Sequence, residues 1–243
     1  MRIPRVYHPF PLGIGTETEL SPAAAQHVGK VLRLREGAAL ILFDGQGNAC
    51  EANVVSVDKR GVRVNMHAPL IEHTESPLHT HLGLGISKGE RMDYAIQKAA
   101  EAGVSEITPL LTEHTVVRLD AKRRASRQQH WQGVIISACE QCGRNRLPEL
   151  HDVTTLADWV VLQQAAHKLV FDADGNSSLR DINPPPREVT ILIGPEGGLG
   201  QEEIRLATQE RFKHVRLGPR TLRTETAAVA IIASLQTLWG DYA

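Results

Sequence analysis

The chain is poor in cysteine: three residues in 243, too few and odd in number for a disulfide framework. A reducing compartment is therefore expected, and the sequence points to the cytoplasm. Long apolar runs are also missing. The longest stretch of small and apolar residues, Ala227 to Ala233, falls far short of the roughly 18 that suggest a membrane span. The first twenty residues carry three prolines and no apolar core of the signal-peptide kind, so a soluble, unexported protein is expected. Aromatic residues make up only 4%, which argues against a stacking platform for single-stranded nucleic acid. Neither sign of charge dominates, with 27 Lys and Arg against 28 Asp and Glu. A net charge of -1 gives no bulk electrostatic case for nucleic acid or membrane, and any such partner needs a local patch. What is present is 42% hydrophobic residues, enough for one large core or two smaller ones.

Up to about residue 72 the pattern is β-like: AALILF (38–43), ANVVSV (52–57) and GVRVNM (61–66), separated by turn residues. One helix is expected among them, from Ser21-Pro22 through AAAQHVGKVLRL, with serine as cap and proline as first helical residue. Hydrophobicity drops around IEHTESPLHT, so the boundary is placed there, giving a β domain over 1–72 and a second domain over 73–243. In the second, strand-like LGLGI (82–86) leads to helix-like GERMDYAIQKAAEAG (89–103), VSEITPL and a long helix from about Lys122 to Cys139. HKLVFDA, VTILIG and HVRLG follow as further short strands. Alternation at this spacing predicts an α/β fold with a parallel sheet and helices on both faces.

Two strand-loop-helix units stand near the C-terminus. In VTILI-GPEGGLG-QEEIRLATQ, glycines at 194, 197 and 198 let backbone amides approach a ligand closely. The loop matches neither G-x-x-x-x-G-K-[ST] nor G-x-G-x-x-G, and Glu196 would repel a phosphate. Taken alone, the same glycines also suit a tight strand-to-helix turn. HVRLG-PRTLRTET-AAVAIIASLQTLW repeats the plan about twenty residues on, and ligands in open α/β sheets sit at the carboxyl ends of strands. Arg220, Arg223 and Glu225 can face that cleft, while Thr224 or Thr226 could serve as a helix cap.

LIGPEGG (192–198) with LGPRTLRTETA (217–227) resembles the signature pair of the RsmE family, the 16S ribosomal RNA uridine-N3 methyltransferases of the SPOUT class. The similarity extends over nearly the whole chain, through MRIPRVYHP, HVGKVLRL (27–34), SKGERMDYAIQKAAEAGV (87–104) and ACEQCGRNRLPE (138–149). The resemblance implies a small N-terminal PUA-like β-barrel domain for RNA, then a SPOUT domain with a C-terminal deep trefoil knot at about 190–240. It also implies a homodimer through the SPOUT domain and S-adenosyl-L-methionine as cofactor, held largely by backbone groups. By that similarity Leu192, Gly194, Glu196, Gly197, Gly198, Leu217, Gly218, Leu222, Arg223 and Thr224 are the cofactor-site candidates. The implied substrate is a uridine of 16S rRNA at the decoding region of the small ribosomal subunit.

Methylating N3 of uridine requires loss of its proton, because the neutral imide nitrogen has no available lone pair. The unperturbed group lies about two units above neutral pH, so the anion costs on the order of 3 kcal/mol. A cation near O2 or O4 can offset this, and an acidic side chain or water can take the proton. The catalytic candidates are Lys88, Arg91, Glu140, Arg144, Arg223 and Glu225, with Gln141 and Arg146 beside them; for each, a surface salt bridge or helix-end charge is the ordinary alternative.

Cys139 and Cys142 form one C-x-x-C without a second pair, inside an expected helix, and read as structural thiols. His79-Thr80-His81 lacks an obvious carboxylate partner at a recognised spacing, so no metal is expected. For RNA, the basic candidates are Arg2, Arg5, His27, Lys30, Arg33, Arg118, Lys122, Arg123 and Arg146, although such runs are also solvated helix faces and His27 is equally suited to packing. Basic residues number eight against seven acidic in 1–72, ten against nine in 73–150, and nine against twelve in 151–243. The acid excess thus lies in the expected cofactor-binding third and leaves the rest open to RNA. Competing classes are methylation at another RNA atom, an RNA-binding module with a vestigial pocket, and a nicotinamide oxidoreductase, which lacks its glycine fingerprint.

Overall fold

A computed structural model describes residues 3–117 and 120–242, and the candidates Arg2 and Arg118 lie outside them. The chain forms two compact units: residues up to Glu75 together with Ile136–Leu147, and Ser76–Ile135 together with the remainder from Pro148. The sequence places 136–147 wholly in its second domain; in the structure that segment, the end of a long helix, clusters with the first unit.

The first unit contains β1 (Arg5–Tyr7), β2 (Glu17–Glu19), α1 (Pro22–Gln26), β3 (Ala39–Phe43), β4 (Ala49–Val57) and β5 (Val62–Leu70). They make one mixed five-stranded sheet in the order β1-β3-β4-β5-β2, with only β1 and β3 parallel. Alternation in β4 and β5 buries Ala52 and Val54 with Val62, Val64 and Met66, which pack with Leu40 and Leu42 of β3 into this unit's core. The expected helix through Leu34 is shorter. Ser21 accepts the Ala24 amide and starts α1, but after Gln26 the backbone widens into one π-helical turn over His27–Val31, and Arg33 at φ 53° ends it. Strands β1 and β2 escape the sequence pattern because each has three residues, too few for a period-2 signal.

The second unit contains β6 (His79–Gly85), α2 (Glu90–Glu101), β7 (Glu106–Leu111), most of α3 (Ala121–Cys142), β8 (Glu149–Leu150), β9 (Thr154–Thr155), α4 (Leu156–Leu162), β10 (His167–Phe171), β11 (Glu188–Ile193), α5 (Gln201–Gln209), β12 (Lys213–Val215) and α6 (Thr224–Trp239). Its sheet runs β12-β10-β11-β6-β7-β8, with β9 also on β7, and all its strand pairs are parallel. A parallel strand covered on both faces reads as a continuous apolar run, and β11 does so: Val189 to Ile193 are all buried. Leu192 packs with Leu110, Trp159, Val160, Val170 and Phe212. The apolar side of α2, with Met92, Ala95, Ile96, Ala99 and Ala100, is likewise buried.

Candidate functional site

The carboxyl ends of β10, β11 and β12 all open toward one edge of the sheet, and the loops that leave them enclose a cavity of about 520 Å³. That volume suits a nucleoside-sized ligand. The loop after β11 contributes Gly194 to Leu199, the loop after β12 contributes Arg216, Leu217 and Arg220 to Arg223, and the start of α6 adds Thr224, Glu225 and Ala227. A third loop was not anticipated: Phe171, Asp172 and Ala173 at the end of β10 also line the space. The available signal was Asp-Ala-Asp-Gly directly after an apolar strand, a turn at the carboxyl end of a parallel strand.

The glycines have specific geometric reasons. A Cβ on Gly194 would stand 2.8 Å from the Gly198 carbonyl carbon and 2.9 Å from the Leu199 nitrogen, so the loop folds back on itself only because that atom is missing. Gly198 holds φ +72°, a conformation that side chains rarely adopt. Glu196 organises the neighbouring loop. Its Oε1 accepts the Lys88 amide at 2.9 Å and an Arg91 guanidinium N–H at 3.2 Å. Burial pushes the Glu196 carboxyl up, but hydrogen bonds from its own amide, the Lys88 amide and Arg91 outweigh this and hold it below the usual carboxylate range.

Helix α6 begins at the cavity with Arg223 as its N-cap residue and no side-chain cap, so neither Thr224 nor Thr226 caps it. Thr224 is buried at the first helical position. Glu225 Oε2 is buried and lacks a hydrogen-bond partner in a residue that lines the cavity, an acceptor in want of a donor.

The structure thus brings Gly194, Glu196, Gly197, Gly198, Leu217, Leu222, Arg223 and Thr224 around one cavity, joined by Arg91 and Glu225. Gly218 lines a neighbouring depression with Arg216 and Leu217, and the Leu192 side chain is in the core. Lys88 is exposed on the loop that Glu196 holds.

Glu140 and Arg144 belong to the first unit and each has a partner within it. Glu140 Oε1 accepts the Tyr7 amide at 3.1 Å, and burial raises its carboxyl pKa. Arg144 is buried against Glu75, with Nη2 to Oε2 at 2.6 Å. Two RNA candidates are similarly engaged. Arg5 is buried, pairs with Glu72 at 2.9 Å and hydrogen-bonds Asn145, so its guanidinium is not presented to a ligand. His27 is half-buried beside Glu140. Lys30, Arg33, Lys122, Arg123 and Arg146 are exposed. Asp120 accepts the Arg123 amide at 2.8 Å, near the start of α3.

Residues 74–236 match the family model of the RNA methyltransferase domain, and residues 20–66 match that of the RNA methyltransferase PUA domain. The ribosomal RNA small subunit methyltransferase E of Buchnera aphidicola subsp. Schizaphis graminum is 34% identical over 241 residues, 99% of this chain and 98% of that one. A Legionella pneumophila methyltransferase solved with bound S-adenosylmethionine superposes with a TM-score of 0.96 at 44% identity, covering 99% of this chain and all of the other. The ribosomal RNA small subunit methyltransferase E of Neisseria gonorrhoeae, bound to S-adenosylmethionine, gives 0.93 at 36% identity with full coverage of both chains.

Proposed function

The chain belongs to the RsmE family of RNA methyltransferases, and from that premise we propose that it uses S-adenosyl-L-methionine to methylate N3 of a uridine in 16S rRNA at the decoding region of the small subunit. The observation that carries the reading is the cavity itself, walled by two glycine loops at the carboxyl ends of parallel strands, with Glu225, whose Oε2 has no hydrogen-bond partner, in its lining. Besides backbone amides and carbonyls the cavity is lined by the carboxylates of Asp172, Glu196 and Glu225 and by Arg91, Arg216, Arg220 and Arg223, a mixed lining that supports a nucleoside carrying both a cationic sulfonium and an amino-acid carboxylate. When bound, that cofactor supplies an electrophilic methyl group, so neither a covalent nucleophile nor a metal is needed for the transfer.

The protein has then to bind the uridine, favour its N3 anion and exclude water. Arg223 and Arg91, among the four arginines that line the cavity with Arg216 and Arg220, are proposed to offset charge on O2 or O4 of the imide. Glu196 positions Arg91 through the 3.2 Å bond, and Glu225 is the acid placed to hold a cofactor donor or the departing proton. Lys30, Arg33, Lys122, Arg123 and Arg146, exposed and basic, are proposed to meet RNA phosphates, in keeping with the shape-directed recognition of folded RNA. The family relationship further supports a barrel-like PUA arrangement of the first unit, a trefoil knot in the last strands and α6, a homodimer through the second unit, and a cytoplasmic location.

The test is methyl transfer from labelled S-adenosylmethionine to small subunits from a strain lacking this activity, read by nucleoside mass spectrometry. One 3-methyluridine per subunit is expected, and none with Arg223→Ala despite an unchanged melting midpoint. Label on a ribose oxygen or another base would overturn the N3 assignment. Full activity of Arg223→Ala would remove that residue from the mechanism.

A further inference from the structure

At the amino ends of its parallel strands, on the sheet edge opposite the cofactor loops, the second unit gathers three histidines around one carboxylate. His79 and His81, two apart on β6, share a face; Glu106 opens β7 in register with His81; His151 follows β8. Glu106 Oε1 lies 2.7 Å from His79 Nε2, while its Oε2 lies 2.6 Å from His151 Nε2 and 3.7 Å from His81 Nδ1. The local spacing of His79-Thr80-His81 shows no such partner, because Glu106 and His151 arrive from other strands.

The 3.7 Å gap is too long for a hydrogen bond in either tautomer of His81. The other nitrogen of that ring is engaged by the Thr108 hydroxyl at 2.8 Å, which fixes the ring with Nδ1 facing Glu106. A nitrogen and a carboxylate oxygen held face to face without a bond leave room for a cation. Ligand atoms of His81, Glu106 and His151 all lie within 4.8 Å of one another. In a tetrahedral site with bonds of about 2.0–2.2 Å, ligand atoms are roughly 3.3–3.6 Å apart, so the 3.7 Å from His81 to Glu106 need close only slightly and the 2.6 Å contact must open by about 1 Å.

We propose that His81, Glu106 and His151 form a site for one divalent transition cation of the zinc class, with two imidazole nitrogens, one carboxylate oxygen and a water as ligands. Its outer partners are in place. Thr108 orients His81 and His79 retains Glu106 Oε1, while the exposed Glu149 carboxylate, 3.7 Å from His151 Nδ1 and not yet bonded to it, can close that gap by a side-chain rotation. On binding, the proton that His151 Nε2 shares with Glu106 moves to Nδ1 on the Glu149 side, which leaves the Nε2 lone pair for the metal. The ligands come from three separate segments at the edge remote from the cavity, so the ion ties those segments together and takes no part in methyl transfer.

The full chain, stripped with a chelator, is titrated with Co²⁺ in the visible range and with Zn²⁺ by calorimetry. Uptake of one equivalent is expected, with absorption of a low-symmetry nitrogen and oxygen site. Co²⁺ should quench Trp159, whose ring stands edge-on to His81 at 5.4 Å, and the quenching should vanish in Trp159→Phe. Glu106→Gln should abolish the absorption, and Thr108→Val, which leaves every ligand intact, should weaken binding about 10-fold. Absence of uptake by the native chain, or equal uptake by native, Glu106→Gln and Thr108→Val chains, would overturn the proposal.

Discussion

Replacing Arg144 with alanine separates two meanings of a buried arginine. Its side chain is 6% exposed, and its Nε meets both Glu75 oxygens at 3.2 Å while Nη2 meets Oε2 at 2.6 Å. Burial alone would lower the Arg144 pKa, but the Glu75 carboxylate outweighs it and raises it further. Arg144→Ala leaves that carboxylate without its cation and removes the packed stem. Breaking one side of a buried pair costs about 3–5 kcal/mol, and since Glu75 keeps 31% exposure, the lower end, about 3 kcal/mol, is expected. For a chain of this size each kcal/mol lowers the melting midpoint by about 2–4 °C, so the fall should be roughly 6–12 °C by calorimetry. Glu75→Gln should lower it too, and the double variant Arg144→Met with Glu75→Gln should lose less than the two single losses together, because neither partner is then left charged and alone. A catalytic Arg144 predicts the reverse: an unchanged midpoint with lost methyl transfer. That result, with Glu75→Gln harmless, would refute the structural assignment.

Three further outcomes follow from the geometry. Gly194→Ala forces a Cβ against the Gly198 and Leu199 backbone, and calorimetry should show S-adenosylmethionine affinity lost, with a stability cost of about 1–3 kcal/mol; native affinity would mean that the loop is not closed as described. Because the Glu196 carboxyl titrates below its ordinary value of 4.5, its stabilisation is complete above that pH and fades as pH falls through the folded value. The midpoint difference between native protein and Glu196→Gln should therefore be constant at neutral pH and shrink below pH 4.5, and a difference that grows on acidification would contradict this. The neighbouring Cys142 thiol and burial both push the Cys139 thiol up, and Cys139 is wholly buried, so iodoacetamide should label it only after unfolding; labelling at the rate of a free thiol in native protein would show that the helix end opens.

Much of the fold and part of the site could be read from sequence because both are written locally. Apolar runs such as VTILI and KLVF show a buried parallel strand directly, and a glycine needed for close approach, as at 194, marks its loop without help from elsewhere. Ser21-Pro22 marks the start of α1, and the change from Ala23-Ala24-Ala25-Gln26 to the weaker helix formers Val28, Gly29 and Val31 coincides with its early end at the π-helical turn. The loop after β10 was missed because Asp172 is an ordinary turn residue until the sheet order sets β10 between β11 and β12.

Charge was the least legible property. A guanidinium or carboxylate carries the same letter whether it faces a ligand, solvent or a buried partner, and only its neighbours in space decide. Arg223 and Glu225, expected at the cleft from their loop, do line it, whereas Glu140 and Arg144, at the end of the long helix, are partnered within the first unit by Tyr7 and Glu75. His79 and His81 were dismissed for want of a carboxylate that stands 25 residues along the chain from His81 and directly beside it in the sheet. By itself the sequence determined the longer strands, most helices and the glycine loops, because backbone geometry and burial depend on short-range pattern, whereas three-residue strands such as β1 and β2 left no such pattern. Tertiary structure alone decided which polar groups are partnered, because Coulomb and hydrogen-bond energies depend on distances of a few ångströms between residues that the chain separates by dozens.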